Sequence, residues 1–170
     1  MIDEEKLNNE LIPTFKDEDL SSYTKFETLL LLSIKKANDE AKIDFRDKNT
    51  LFILSTTKGN ISYLSDEMDE KVYLWHSAHK VASFFGNENE PLVISNACIS
   101  GAAAQVEALR LIENGYYENC VVAGGELLSK FIISGFQSFK ALSQEQCQPF
   151  DKNRHGLNLG EAAATIIYSK

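Results

Sequence analysis

Cys98 is the residue of this chain best placed to do chemistry. It stands in Ser95-Asn96-Ala97-Cys98-Ile99-Ser100-Gly101, where an apolar run from Pro91 to Ser95 hands over to a long segment, Cys98 to Asn114, that closes on Gly115. The run reads as a buried strand and the segment as a helix with a glycine just past its end. A thiol at the start of a helix faces unpaired backbone N–H groups and the positive end of the macrodipole, both of which stabilise negative charge on sulfur and prime a nucleophile before any base is present. Ala97, Ser100, Gly101, Ala102, Ala103 and Ala104 are small. The elbow is therefore expected to be tight, the helix to pack deep in the core, and a carbonyl to have access to the sulfur. The alternative for a cysteine here is a buried core side chain.

Other candidates are weaker. Cys98, Cys120 and Cys147 are an odd number at wide spacing, which fits neither a disulfide framework nor a Cys-x-x-Cys metal knuckle, and Cys120 lies in a strand-like run while Cys147 lies in a polar stretch. His76 and His79 share one helix face, a possible metal pair, but no third ligand has matching spacing, so a packed or solvated helix face is expected and no metal. Lys58, after Thr56-Thr57, either meets an anion or projects into water, and water is the expectation.

The elements that would position Cys98 can be read from periodicity. Thr24-Lys25-Phe26-Glu27 has the form of a capping box, and Phe26, Leu29, Leu30, Ile34, Ala37 and Ala41 recur at helical spacing, which predicts a helix ending near Lys42. Leu51 to Thr57 is a short apolar run expected as a strand buried on both faces, with a turn at Lys58-Gly59-Asn60. Val72, Trp75, Ala78, Ala82 and Phe85 form a second helical stripe stopped by Gly86-Asn87. Asn119 to Ala123 reads as a strand stopped by Gly124-Gly125, Ser129 to Leu142 as a helix with a bend at Ser134-Gly135, and Ala162 to Tyr168 as a final strand. Alternating helices and short strands predict an α/β chain with helices covering a mainly parallel or mixed sheet. Residues 1–20 read as a polar leader without structure and 21–170 as one domain.

Seventeen basic and twenty-five acidic residues leave a formal charge of −8 with no Lys/Arg cluster, which argues against nucleic acid and anionic membrane as partners. The apolar runs fall short of the roughly 20 residues that span a bilayer. The acidic start, Met1-Ile2-Asp3-Glu4-Glu5-Lys6, lacks the pattern of a secretory signal, and a cytoplasmic protein is expected.

Several motifs in order also resemble a known family. Ser-Asn-Ala-Cys98-Ile-Ser-Gly with its small-residue helix is similar to the nucleophile segment of β-ketoacyl synthases, the condensing enzymes of fatty acid and polyketide synthesis. Leu54 to Gly59 resembles their strand and turn ahead of the nucleophile, and Ala82 to Gly86 the helix end before the nucleophile strand. Val121-Val122-Ala123-Gly124-Gly125-Glu126 resembles the strand after the nucleophile helix, Gly135-Phe136 through Ala141-Leu142-Ser143 the Gly-Phe…Ala-Leu-Ser segment, and Pro149 to Glu161 the Pro-Phe-Asp…Arg…Gly…Gly-Glu signature of the elongating synthases. The chain departs from that pattern at His155, where Asp is usual after Arg, at Leu157 and at Ala162-Ala163, and the usual first strand has no counterpart in residues 1–20.

The resemblance implies a thiolase-like fold, a layered α/β/α arrangement of which this chain is the N-terminal, nucleophile-bearing half. It implies Cys98 as catalytic nucleophile and, through its backbone N–H, as one oxyanion donor. Asp151, Arg154 and Glu161 can be read as acid-base residues, but charged groups in such a loop are expected to fix its conformation through ion pairs, as structural support of the site. His155 is expected to have a structural or surface role. No cofactor is implied. The partners implied are acyl carrier protein with its acyl and malonyl thioesters, and a homodimer or a heterodimer with a C-terminal synthase half, self-association running through the strand at Val121 to Gly124. The activity implied is decarboxylating Claisen condensation in fatty acid or polyketide synthesis, the half being inactive in condensation alone. The alternatives are a noncatalytic partner subunit resembling a chain-length factor and a Cys-dependent acyltransferase.

Overall fold

A computed structural model describes residues 2–65, 67 and 69–170. Helix α1 (Glu4–Thr14) is followed by α2 (Lys25–Ala41), strand β1 (Thr50–Ser55), α3 (Leu74–Phe84), β2 (Leu92–Ile94), α4 (Ser100–Glu113), β3 (Asn119–Glu126), α5 (Lys130–Ser138) and β4 (Ala162–Ser169). The strands form one four-stranded sheet in the order β2-β1-β3-β4. The pairs β1–β2 and β1–β3 are parallel, and β4 closes the far side antiparallel to β3.

Period-two alternation sorts the sheet into two faces. Phe52, Leu54, Val121 and Ala123 point to one face and pack with Phe26, Leu30, Leu31 and Ile34 of α2 and Ala78, Val81 and Ala82 of α3. Leu51, Ile53, Cys120 and Val122 point to the other and meet Ala104 and Ala108 of α4. The layers are therefore α/β/α, as expected. The predicted start and stop signals both hold: Thr24 completes its capping box with Glu27 at the start of α2, and Gly86, at φ 72, follows the end of α3 where only glycine is free of strain.

Four differences from the sequence reading carry physical reasons. Residues 1–20 are not without structure, because α1 is capped by Asp3 and lays Leu7, with Phe15 beyond its end, into the core against α2. The glycines at 124 and 125 do not stop β3, which runs on to Glu126 in register with Ala162–Ala164. A Cβ at Gly124 would lie 3.3 Å from the Ser55 carbonyl, and one at Gly125 would lie 3.3 Å from both the Ala162 carbonyl and Leu30, so close approach rather than a turn explains both. The strand expected at Pro91–Ser95 is not buried throughout: β2, Leu92–Ile94, is a half-buried edge with no strand paired beyond it among the described residues. Finally, Val121 to Gly124 cannot be a strand of self-association, because β3 lies inside the sheet with β1 on one side and β4 on the other.

Candidate functional site

The parallel strands end in register, Ser55 beside both Ile94 and Gly124, and the chain leaving β2 turns there into α4. Open α/β sheets bind their ligands at this carboxyl end. Cys98 does not occupy the first turn of the α-helix itself. It sits in a short 3₁₀ turn, Ala97–Ile99, directly ahead of α4, and its side chain is exposed.

The turn is strained and held. Ala97 has φ 46, the left-handed region that costs a residue with a Cβ about 1 kcal/mol or more. Ser100, buried at the start of α4, clasps it from both sides: its Oγ donates to the Ala97 carbonyl at 2.7 Å and accepts the Asn96 N–H at 2.8 Å. The Ile99 N–H adds a bond to the Asn96 carbonyl at 3.2 Å. With Ser100 committed to the turn, α4 has no side-chain cap, so its leading N–H groups keep their partial positive charge for whatever approaches the thiol. Among the described residues the Cys98 N–H has no acceptor. Gly101 leaves the far side open, with Ser55 Oγ 4.0 Å from where its Cβ would be. Sequence reasoning named the small residues but missed the clasp, whose signal is a serine two positions after the cysteine.

A second cluster lies at the same end of the sheet. Glu126 at the end of β3 accepts on Oε1 from Thr56 Oγ1 at 3.1 Å, from Thr57 Oγ1 at 2.7 Å and from the Thr57 N–H. It pins the turn after β1 to the end of β3, a role the Thr-Thr pair could have signalled. Behind it, Glu27 is fully buried and accepts from Asn60 Nδ2 at 3.1 Å, Ser77 Oγ at 2.8 Å and the Thr24 N–H at 2.9 Å, with Lys80 Nζ 3.3 Å away. That network locks the Lys58-Gly59-Asn60 turn to α2 and α3.

The three residues expected to support the site divide. Glu161 is half-buried and accepts from the Leu128 N–H at 3.1 Å and the Ile2 N–H at 2.6 Å, tying the amino terminus to the chain leaving β3. Burial works against its ionised form, but these two N–H donors and Lys25 lower its pKa below the usual carboxylate value. Asp151 and Arg154 are exposed and fix their loop through backbone groups rather than an ion pair: Asp151 Oδ1 accepts the Asn153 N–H at 2.7 Å, and Arg154 donates to the Asp151 carbonyl at 3.1 Å. None of the three is hydrogen-bonded to Cys98 or its turn. His155 is exposed.

The remaining candidates go elsewhere. His79 Nε2 lies 2.7 Å from Glu90 and His76 Nδ1 lies 3.9 Å from Glu70, each flanking Trp75, and no cluster of three possible metal ligands occurs among the described residues. Cys120 is buried under α4, which pushes its thiol up to about 11, and Cys147 is half-buried in the loop before β4. Among the described residues no helix is long and apolar enough to cross a membrane.

Comparison with known proteins converges on one family. The sequence model described as "Beta-ketoacyl synthase, N-terminal domain" matches residues 2–169. A 3-oxoacyl-(acyl-carrier-protein) synthase 2 of Synechocystis sp. is 35% identical over 78 residues, 42% of this chain and 19% of that one. Among solved structures, the ishigamide ketosynthase/chain length factor superposes with TM-score 0.78 at 20% identity, over 89% of this chain and 43% of the other. A ketosynthase from Xenorhabdus doucetiae, in complex with its chain length factor, gives 0.73 at 22% identity over 87% and 42%. The chain thus spans less than half the length of these relatives.

Proposed function

Because the chain belongs to the β-ketoacyl synthase family, as its N-terminal domain, we propose that it is the nucleophile-bearing half of a condensing enzyme and that Cys98 is its acyl acceptor. One observation carries this reading: the exposed thiol sits in a strained turn, clasped by Ser100, directly ahead of an uncapped helix at the carboxyl end of a parallel sheet.

The chemistry follows from that placement. Cys98 Sγ, as thiolate, attacks the carbonyl carbon of an acyl thioester on a carrier protein. The new C–S bond forms as the carrier's C–S bond breaks, and the carrier sulfur leaves as thiolate and takes a proton. The Cys98 N–H, free of other acceptors, is placed to stabilise the tetrahedral oxyanion. In the condensing step a malonyl thioester loses carbon dioxide, the resulting carbanion attacks the Cys98 thioester carbonyl, a C–C bond forms, and the Cys98 C–S bond breaks to return the thiol. This chain supplies the nucleophile and one donor. A missing oxyanion donor costs on the order of 3 kcal/mol in related acyl transfer, so the remaining donors must come from a second half or from a partner chain. That the relatives are more than twice as long, and that two of the solved ones are ketosynthase/chain length factor assemblies, supports a pairing of this kind.

The test incubates the protein and its C98A variant with a radiolabelled acyl-carrier thioester, then adds malonyl-carrier. Label on Cys98 that is absent in C98A is expected, with transfer to product only when a second half is present. Label that never moves, even with that half present, makes the chain an acyltransferase. No label at all overturns the nucleophile reading and leaves a noncatalytic partner subunit.

A further inference from the structure

Among the described residues the sheet ends in two unpaired edges, the outer sides of β2 and β4. They differ in length: β2 has three residues and β4 has eight. An unpaired edge offers a row of main-chain N–H and C=O groups to any extended chain, and proteins blunt such edges by shortness, charge, proline or a bulge. β4 has none of these. Ala162 to Ser169 includes no charged residue and no proline, and it pairs with β3 in unbroken register from Asn119 opposite Ser169 to Glu126 opposite Ala162. Yet no residue of β4 is buried, and Ile166 is 44% exposed, whereas β3 beside it is buried from Cys120 to Ala123. The chain's own start does not fill the place. Ile2 reaches the foot of β4, where its N–H meets Glu161, but Asp3 then caps α1, which turns away and lays Leu7 into the core.

The edge itself states what fits it. Its outward N–H and C=O groups recur at the spacing of a strand, so only another extended backbone satisfies them in series. The side chains of an added strand would stand beside those of β4, with Ala163, Thr165 and Ile167 on the face toward α2 and Ala164, Ile166 and Tyr168 on the face toward α4. Thr165, Ile166 and Ile167 are β-branched and pair best with β-branched or aromatic neighbours across the ladder. No charge along β4 calls for a charged partner residue, and a second copy would bring its own −8 to the contact. We propose that the outer edge of β4 is a docking site for an extended, uncharged, β-branched segment of a different protein, which adds to the sheet as a fifth strand. The site goes beyond the condensing-enzyme reading and does not depend on the role of Cys98.

The probe that tests this is a fluorescein-labelled peptide, Lys-Thr-Val-Ile-Val-Thr-Val-Lys, whose six central residues are uncharged and whose terminal lysines keep it soluble. A second peptide, with proline at two central positions, cannot offer the N–H groups of a strand. Fluorescence anisotropy with the 170-residue chain is expected to show saturable binding of the first peptide at about 1 to 100 µM and at least about tenfold weaker binding of the second. At saturation, hydrogen exchange of residues 163–168 should slow at least about tenfold while residues 92–94 at the β2 edge stay unchanged. A164K/I166K, which places on the edge the charge that it lacks, should lose the peptide and keep the wild-type circular dichroism, and the exchange measurement on the wild type reads the same edge without a substitution. No binding of the first peptide, equal binding of the two, protection at 92–94 in place of 163–168, or undiminished binding by A164K/I166K overturns the site. Protection of 163–168 that rises with protein concentration in the absence of peptide assigns the edge to a second copy and overturns the foreign donor.

Discussion

Replacing Ser100 with alanine takes the clasp off the Cys98 turn and leaves the main chain intact. Two short hydrogen bonds disappear, to the Ala97 carbonyl and from the Asn96 N–H. At about 1 kcal/mol each the loss is about 2 kcal/mol. Against this, the left-handed Ala97 is free to relax, which returns about 1 kcal/mol. The net destabilisation is therefore about 1–2 kcal/mol, a fall of about 2–8 °C in Tm for a chain of this size. Relaxation also lets the Cys98 turn leave its held geometry, so the rate at which iodoacetamide alkylates Cys98, followed by mass spectrometry, should depart from the wild-type rate. Ala97→Gly in the S100A background removes the strain at φ 46 and should restore the alkylation rate with little further change in Tm. An S100A protein with wild-type Tm and wild-type alkylation of Cys98 would refute the idea that the turn is held under strain.

Other perturbations probe the scaffold. Glu27→Ala strands Lys80, Asn60 and Ser77 around an empty carboxylate position and should cost about 3–5 kcal/mol in urea unfolding, with Glu27→Gln costing clearly less because it keeps the hydrogen-bonding oxygen. Cys120 gives a signature at high pH: its thiol ionises near 9.0 when unfolded and at about 11 when folded, so the neutral form's contribution is intact below pH 9 and is lost as pH rises to 11. Two pH units correspond to about 2–3 kcal/mol, and Cys120→Ala should flatten that part of the stability profile relative to wild type. Gly156→Ala places a Cβ 2.6 Å from the Ala141 carbonyl at φ 131, and limited proteolysis should then cut the 139–160 loop at least several-fold faster while the sheet stays folded.

What the sequence shows and hides follows from where the determinants lie. The helices α2 and α3 and the strand β1 were legible because their signals are local: a capping box at Thr24, a glycine after α3, an unbroken apolar run at 51–54. The helix α1 was not, because Leu7 and Phe15 are isolated among charges and gain their burial only from distant elements, Phe15 packing edge-on against Phe84 of α3. Gly124 and Gly125 misled for a similar reason, since a glycine demanded by the Ser55 and Ala162 carbonyls of neighbouring strands looks, in sequence, like a turn. At the candidate site, the strand-to-helix handover around Cys98 was legible, but the clasp that shapes its turn depends on a serine in an ordinary helical position, and Glu126 reaches Thr56 and Thr57 across 69 or 70 residues of chain. Asp151 and Arg154 were expected to fix their loop by ion pairing because charged groups in a loop suggest it, whereas here both bond backbone atoms of that loop.

Cys98 is exposed, and on α4 behind it Val106 and Leu109 are exposed beside the charged pair Glu107 and Arg110. If Cys98 carries an acyl group, as proposed, that group would be open to hydrolysis in the isolated chain, whereas condensation needs a cavity from which water is excluded. The second half or partner chain that the proposed reading calls for would therefore have to supply cover for the thioester as well as oxyanion donors.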